Sequence, residues 1–174
     1  MSGTKGIGRA RFGARELAAT LALLALAAGV VTPELRHRAA LRRDARRLAD
    51  LRRVQDAIER FHMQTGAWPA GDPVTAAGAW DASHDGAFLP ELVQRGLLER
   101  EAHDPLEDER FHYVYRRFAD GECGCAGAGG FYVLGLRAFE TEAFAARRPG
   151  GFACGDGSAW RGLAHVTGGG VDDG

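Results

Sequence analysis

The strongest pattern in the chain is an apolar run near its N-terminus, Leu17–Val31, which continues for fifteen residues without a charged side chain. Counted from Phe12 to Pro33, the segment would extend about 33 Å as a helix, which is enough to cross a hydrocarbon core of about 30 Å. A buried helix of a soluble domain is disfavoured, because no polar residue marks a solvent-facing side. The pattern therefore predicts a membrane-type helix, with Glu16 directly before it.

Two interpretations of this segment stay open. One is a cleaved secretory signal, since basic residues precede the run and the small residues Ala27, Ala28 and Gly29 lie near its end. The other gives Glu16 a function, because a carboxylate at the entrance of the hydrocarbon costs about 2–3 kcal/mol if inserted. An acidic residue in such a place is by default a functional residue whose partner has to be named.

A second periodic stretch, residues 41–63, predicts an amphipathic helix that continues the first one. Its opposite face carries mainly Arg and Asp, whereas its apolar residues recur at steps of three, four and seven. The members of this apolar stripe are Leu41, Ala45, Leu48, Leu51, Ile58 and Phe61. Gly66 and Pro69 predict the end of the helix. An unbroken helix from Phe12 to about Met63 would be about 78 Å long, which is typical of a stalk rather than of a globular helix.

The remainder of the chain predicts turns, one short helix and antiparallel strands. Gly and Pro residues punctuate residues 67–87, and Pro90–Gln94 predicts a short helix. Strands are predicted at Phe111–Phe118 and Phe131–Glu140, joined by a long Gly-rich turn, with a further edge strand within residues 157–168. A helix packed on antiparallel strands gives an α+β fold.

Alternation along the first predicted strand assigns its residues to two faces. Phe111, Tyr113 and Tyr115 are predicted on one face, and His112, Val114 and Arg116 on the other. The predicted core residues that precede the sheet are Trp80, Phe88, Leu89, Leu92, Leu97 and Leu98.

Charge is distributed unevenly, although the 174 residues carry a formal net charge of only −1. Residues 1–15 contain four basic side chains and no acid, and residues 36–53 contain eight Arg and two Asp. A chain that is neutral overall has no global field for a polyanion, so nucleic acid is not expected as a partner. For the arginines themselves, local contact with nucleic acid is one interpretation and contact with lipid phosphates is another. The favoured one is a solvated helix face, on which Asp44, Asp50 and Asp56 supply partners at helical spacing.

Three residues of the N-terminal segment fall at the spacing of a known family. With Phe12 counted as the first residue, Glu16 is the fifth and Pro33 is the twenty-second. This pattern resembles the mature N-terminus of type IV pilins and of type II secretion pseudopilins, which follows a short basic leader. Arg11 stands where the leader of that family normally ends in Gly. The stretch Arg43–Pro69, a charged helix that ends in Gly, an aromatic residue and Pro, resembles the same family.

The resemblance, which extends to the major pseudopilins, implies roles for individual residues. It implies cleavage between Arg11 and Phe12 by a prepilin peptidase, and subunit assembly through Phe12, Glu16 and Pro33. Glu16 would neutralise the new amine of Phe12 on a neighbouring subunit, and Pro33 would mark a kink or a melted turn in the filament core. The implied fold is pilin-like: a long N-terminal helix, with a membrane half and an amphipathic half, packed on a small antiparallel sheet.

The implied function is that of a structural, non-enzymatic subunit in a periplasmic or surface filament of a type II secretion or type IV pilus-like system. Its partners would be other pilin-like subunits, a prepilin peptidase, an inner-membrane assembly platform and membrane lipid. It would cross the bacterial inner membrane once, with its C-terminal domain periplasmic or extracellular. The alternative is an exported or membrane-anchored binding domain with no filament role. No catalytic, cofactor-binding or metal-binding motif is recognisable in the sequence. The acidic calcium-binding loop of major pseudopilins is not recognisable either.

Three cysteines, Cys123, Cys125 and Cys154, follow in the predicted sheet region. An exported chain with this content favours one disulfide, between Cys154 and either member of the earlier pair. Reduced thiols are a second interpretation, and a metal site completed by a His is a third.

The predicted organisation has six parts. They are a basic leader (1–11), a filament-core helix (12–33), a stalk helix (34–66), a loop region with a short helix (67–110), a sheet region (111–168) and a flexible tail (169–174).

Overall fold

The computed structural model describes residues 13–71, 80–125, 129–146, 152, 160 and 162–170. The chain divides into two compact units, Met1–Ala39 and Ala40–Gly174. Arg11 and Phe12, on which the predicted processing site falls, lie outside the described residues, as does Cys154.

The longest element is helix α1, Ala14–Thr65, which has 52 residues and confirms the predicted long N-terminal helix. Its end at Gly66 also confirms the sequence prediction. Gly66 takes a left-handed φ of 71°, and its N–H donates to the carbonyl oxygen of His62 at 2.8 Å. Glycine suits this position because it adopts a positive φ without steric cost.

Within the second unit, one face of α1 is buried. Its buried apolar residues are Leu51, Val54, Ala57, Ile58 and Phe61. The prediction that Ala45 belongs to this face is wrong, because Ala45 is exposed. Ala45 lies six residues before Leu51, which is about 120° around a helix at about 100° per residue. Ala45, Leu48 and Leu51 are separated by two steps of three residues, and each step falls about 60° short of a full turn, so together they move Ala45 off the buried face.

The sheet has four antiparallel strands in the order β1-β2-β3-β4. Their bounds are Asp81–Ala82 for β1, Tyr113–Phe118 for β2, Phe131–Leu136 for β3 and His165–Gly169 for β4. The hairpin register pairs Tyr113 with Leu136 and Phe118 with Phe131. One long helix with an antiparallel sheet is an α+β fold, as predicted.

Strand β3 lies between two hydrophobic cores. One core joins alternate β3 residues to α1, and it contains Tyr132, Leu134 and Leu136. The other core lies on the opposite face and contains Phe131, Val133, Phe118, Trp160 and Val166. Because both faces of the sheet are covered, its central strand is apolar throughout rather than alternating.

The same double cover buries residues on both faces of β2. Tyr113 and Tyr115 belong to the core on the side of α1, and His112 and Val114, which alternation assigns to the other face, are also buried. Of the predicted core residues before the sheet, Phe88, Leu89, Leu92 and Leu98 are buried, and Trp80 and Leu97 are half-buried.

Three short helical elements complete the described part of the chain. Helix α2 has the predicted bounds, Pro90–Gln94. Helix α3, Glu142–Ala145, and a turn of 3-10 helix, Glu122–Gly124, were not predicted from the sequence.

Candidate functional site

The apolar half of α1 is bare in the part of the chain that the structure describes. The exposed fraction of its large apolar side chains ranges from 52% at Val31 to 69% at Leu26. These side chains are Leu17, Leu21, Leu23, Leu24, Leu26, Val31 and Leu35. By length and composition, α1 could cross a membrane, and none of its most apolar 18-residue window is buried. Apolar surface of this extent calls for a cover of lipid or of other apolar helices.

Glu16 lies in the first turn of α1 and caps it. Its carboxylate oxygen Oε2 accepts the backbone N–H of Gly13 at 3.1 Å. The carbonyl oxygen of Gly13 in turn accepts the N–H groups of Glu16 and Leu17 at 3.0 and 3.1 Å. This is the glutamate half of a capping box, and an acid here also meets the positive end of the helix dipole. Because Glu16 is exposed, a cation from another chain can still reach its carboxylate.

Pro33 lies inside α1 and does not end it. Proline has no N–H, so the carbonyl oxygen of Gly29, four residues earlier, lacks its usual helical donor. A Cβ built on Gly29 would meet no atom within 4 Å, so the turn before the proline is open on that side. Pro33 therefore marks a turn with one backbone hydrogen bond fewer than its neighbours.

A buried group of charges, here called the arginine cluster, fixes α1 within the second unit. It consists of Arg43, Asp44, Arg47, Asp104 and Glu140. Arg47 donates through Nε and Nη2 to the two carboxylate oxygens of Asp104 at 2.6 and 2.8 Å. Its Nη1 donates to Asp44 and Glu140, each at 2.7 Å. Arg43 makes a second two-pronged contact, to Glu140, at 2.6 and 2.7 Å.

The segment after β3 donates further hydrogen bonds to Asp44, and the backbone N–H of Leu106 donates to Asp104. Asp44 accepts the backbone N–H groups of Glu140 and Thr141 at 3.0 and 2.9 Å, and the Thr141 hydroxyl at 2.7 Å. The guanidinium of Arg47 also stands 4.7 Å from the centre of the Phe111 ring. A buried charge is tolerated only when it is paired and hydrogen-bonded in this way.

Burial and hydrogen bonding act in opposite directions on Arg47. Burial is the largest single influence and disfavours the cation, but the hydrogen bonds to Asp104, Glu140 and Asp44 together outweigh it, so the pKa of Arg47 is raised. The hydrogen bond from Arg43 holds the pKa of Glu140 below its usual range. Both groups are therefore charged at neutral pH, and the cluster is a set of ion pairs rather than of neutral hydrogen bonds.

The arginine cluster corrects the prediction of a solvated Arg face. Arg46, Arg52 and Arg53 are exposed as predicted, but Arg47 is fully buried and Arg43 is half-buried. A signal was available in the sequence, because Arg47 precedes Leu51 by four residues, which places both on the same side of a helix.

The cysteines divide into two states. Cys125 is buried and disulfide-bonded, whereas Cys123 is a half-buried free thiol. Cys154 lies outside the described residues, so its part in the disulfide stays a prediction.

Two histidine rings pack against each other, tilted by 30°, at the start of β2. The ring centroids of His84 and His112 are 4.0 Å apart. Nδ1 of His112 lies 3.0 Å from the carbonyl oxygen of Asp108, and since a carbonyl only accepts, Nδ1 donates. Burial lowers the pKa of His112, and His84 and Arg137 lower it further, whereas the Asp108 carbonyl and the charge of Asp85 act in the opposite direction.

We expect the contribution of His112 to the thermal stability of the chain to fall as the pH is lowered from about 8 to about 5. Unfolded His112 takes up a proton near its ordinary pKa of about 6.5, while the folded ring takes it up only at lower pH, so the unfolded state binds more protons in this window. Each unit of difference between the two pKa values lowers the free energy of unfolding by about 1.4 kcal/mol, once His112 is protonated in both the folded and the unfolded state. His112→Asn keeps a donor toward Asp108 but does not titrate, so its melting temperature should depend less on pH. Parallel profiles for the two proteins would contradict this role of His112.

Within the described residues, no group of three or more His, Cys, Asp or Glu side chains is placed to hold a metal ion. No protein-family model matches the chain, no curated protein matches it, and no solved structure matches it. Function is therefore inferred from the chain's own residues and their arrangement.

Proposed function

We propose that this chain is a pilin-like (pseudopilin) subunit that assembles into a periplasmic or surface filament of a type II secretion or type IV pilus-like system. The observation that carries the proposal is the bare apolar half of α1, which begins at a capped and exposed Glu16 and contains Pro33. These are the positions at which the sequence resembles pilins. A second unit in which the same helix is packed on an antiparallel sheet agrees with a pilin-like fold.

When such a subunit assembles, the apolar side chains of α1 exchange contact with lipid for contact with neighbouring helices. Before assembly, lipid covers the apolar side chains of α1, and the chain is held in the bacterial inner membrane with its C-terminal unit outside the cytoplasm. In the filament, apolar halves of neighbouring helices cover one another. Because lipid is as apolar as leucine, this exchange gains little from the hydrophobic effect, and close packing and polar contacts decide it.

Glu16 supplies the polar contact in this proposal. A carboxylate beside hydrocarbon is energetically unfavourable, and within the described residues its hydrogen-bond donor is the backbone N–H of Gly13 at 3.1 Å. Cleavage between Arg11 and Phe12 by a prepilin peptidase would create an amine on Phe12. The amine of one subunit and Glu16 of the next would then form an ion pair in a setting that water does not screen.

A second candidate function is a membrane-anchored binding domain with no filament role. The capping contact from Gly13 to Glu16 favours it, because that contact accounts for the acid within a single chain. An N3 glutamate of this kind contributes about 0.3–1 kcal/mol to its helix. The two candidates differ in whether the charge of Glu16 is needed for association.

We expect Glu16→Gln to remain inserted and folded but to lose at least about tenfold of its crosslinked oligomers in membranes. Gln has nearly the shape of Glu and can still accept the N–H of Gly13, but it has no charge for a neighbouring amine. A hydrogen bond to a charged group contributes about 1.5–3 kcal/mol, which corresponds to about tenfold or more in association. Formaldehyde crosslinking of native membranes, followed by electrophoresis, measures the oligomer ladder.

Glu34→Gln is the matched control, since Glu34 is an exposed acid on the same helix that pairs with Arg38 at 2.7 Å. Its ladder should match that of the wild type. Equal ladders for Glu16→Gln and the wild type would refute the filament proposal and favour the anchored binding domain. Intact-mass analysis of the same material tests processing, and a mature chain that starts after Ala28 would identify a secretory signal instead.

A further inference from the structure

The outward face of α1 in the second unit carries a row of arginines, here called the basic stripe. Its members are Arg42, Arg46, Arg52 and Arg53, all of them exposed. The side chains of Arg46 and Arg53 are 57% and 50% exposed. At about 100° per residue, the four positions fall within about a third of the helix circumference.

The basic stripe keeps a net positive charge after its own contacts are counted. Arg46 and Arg53 share one carboxylate, Asp50, at 3.4 and 2.9 Å. Asp56 is the other acid near this face, and it is exposed. Four arginines against two carboxylates leave a formal charge of +2.

A surface of opposite sign lies elsewhere in the same unit, in the loop between α2 and β2. This acidic segment, residues 99–110, has five carboxylates that are exposed or half-buried: Glu99, Glu101, Glu107, Asp108 and Glu109. Against Arg100 and Arg110, these five acids leave a formal charge of −3. The two surfaces therefore carry net charges of opposite sign.

One chain cannot bring its own two surfaces together. Asp104, in the middle of the acidic segment, is bound to Arg47 at 2.6 Å on the inward face of α1. Arg47 lies about 100–140° around the helix from each member of the basic stripe. The acidic segment is therefore held beside the inward face, while the basic stripe points away from it.

We propose that the basic stripe of one copy docks on the acidic segment of the next copy. This inference rests on the proposed function, because it names a contact of the same assembly. The two surfaces are different patches of one chain, so the contact is heterologous, and each copy that joins presents a free patch for another. A heterologous contact that does not close into a ring generates an open polymer, whereas a self-matching patch would stop at a dimer.

The contact sets direction and register more than it supplies affinity. An exposed ion pair changes an association constant by about 1.4- to fivefold. Several such pairs across surfaces of opposite charge steer two copies into one relative orientation. Other orientations bring like charges together and are therefore less stable. Because the pairs are solvent-exposed, salt at about 0.5 M should shorten the polymers.

Charge reversal in the full-length chain tests the contact. Arg42→Glu/Arg52→Glu turns the basic stripe acidic, and Glu99→Arg/Glu109→Arg turns the acidic segment basic. Each pair of substitutions alone should reduce crosslinked species larger than a dimer about tenfold, because two attractive pairs become repulsive. Combining all four substitutions in one chain should restore the ladder, since the surfaces again have opposite signs.

Co-expression of the two double variants is a second route to rescue. The acidic stripe of the first variant fits the basic segment of the second, and the basic stripe of the second fits the acidic segment of the first, so an alternating polymer should form. Arg117→Glu reverses an exposed charge outside both surfaces and should leave the ladder unchanged.

Failure of this inference is distinguishable from failure of the proposed function. If the wild type forms a ladder that depends on Glu16, and Arg42→Glu/Arg52→Glu forms the same ladder, the docking contact is wrong and the filament stands. If Arg42→Glu/Arg52→Glu loses the oligomer ladder, and neither the chain with all four substitutions nor co-expression restores it, the docking contact is wrong. The basic stripe would then bind lipid or another polyanion. A wild type without any ladder overturns both.

Discussion

Replacing Arg47 with Met is expected to lower the free energy of unfolding of the full-length chain by about 3–5 kcal/mol. Arg47 and Asp104 are both fully shielded from solvent, and they make the two-pronged contact at the centre of the arginine cluster. Without Arg47, Asp104 stays buried and loses its ion-pair partner, and among the described residues Glu140 keeps its contact with Arg43. Denaturant unfolding of the detergent-solubilised chain, followed by tryptophan fluorescence, measures the loss.

Arg46→Met is the matched control on the same helix. Arg46 is exposed and reaches Asp50 at 3.4 Å, so its removal should cost less than about 1 kcal/mol. The combination Arg47→Met/Asp44→Asn/Asp104→Asn removes the stranded charges, and it should be more stable than Arg47→Met alone. If Arg47→Met unfolds no more easily than Arg46→Met, the cluster does not hold α1 in place.

The ion-pair partners within the arginine cluster could not be predicted from the sequence. Arg47 meets Asp104 and Glu140, which are 57 and 93 positions away, and no local pattern pairs residues across such distances. Helical spacing could place Arg47 on the buried face of α1, but it could not name the acids that make a buried arginine stable. Those acids lie in loops, whose course depends on the packing of the whole unit.

Features set by neighbours in the chain were predictable. The length of α1 follows from its apolar and amphipathic runs, and its end follows from Gly66, which adopts a left-handed φ. The bounds of α2 follow from a proline at its start. The burial of both faces of β2 was not predictable, because alternation assigns residues to faces but does not show what covers each face. In this sheet a second core, which contains Trp160 and Val166, lies on the side opposite α1, and the ring of His84 packs against His112. His112 and Val114 are therefore both buried.

For the candidate site, the sequence located Glu16, and the resemblance to pilins implied a partner on a neighbouring subunit, the amine of Phe12. The structure shows a different contact within one chain, in which Glu16 caps the helix by accepting the N–H of Gly13. The same residue fits the fifth position of a pilin, where its partner belongs to another chain. Only a property that depends on charge, such as association of Glu16→Gln, separates the two roles.

We expect Leu24→Arg to reduce membrane insertion of the chain about a hundredfold or more. Leu24 lies at the middle of the run Leu17–Val31, and its side chain is 61% exposed. An arginine at the centre of a membrane-spanning helix costs about 2.5–3.5 kcal/mol, and the favourable contribution of leucine is lost as well. The fraction of the chain that resists extraction from membranes by alkaline carbonate measures the effect.

Leu35→Arg makes the same substitution at the edge of the apolar half, where the leucine is 59% exposed. There a long arginine side chain can extend its guanidinium to the lipid headgroups, so insertion should stay near that of the wild type. The comparison tests depth rather than charge, because the two variants have the same composition. If Leu24→Arg resists carbonate as well as the wild type does, Leu24 does not lie at the centre of the bilayer. If the wild type itself is extracted by carbonate, Leu17–Val31 does not span the bilayer. The bare leucines would then need a protein cover rather than lipid, and an inner-membrane anchor would have to be abandoned.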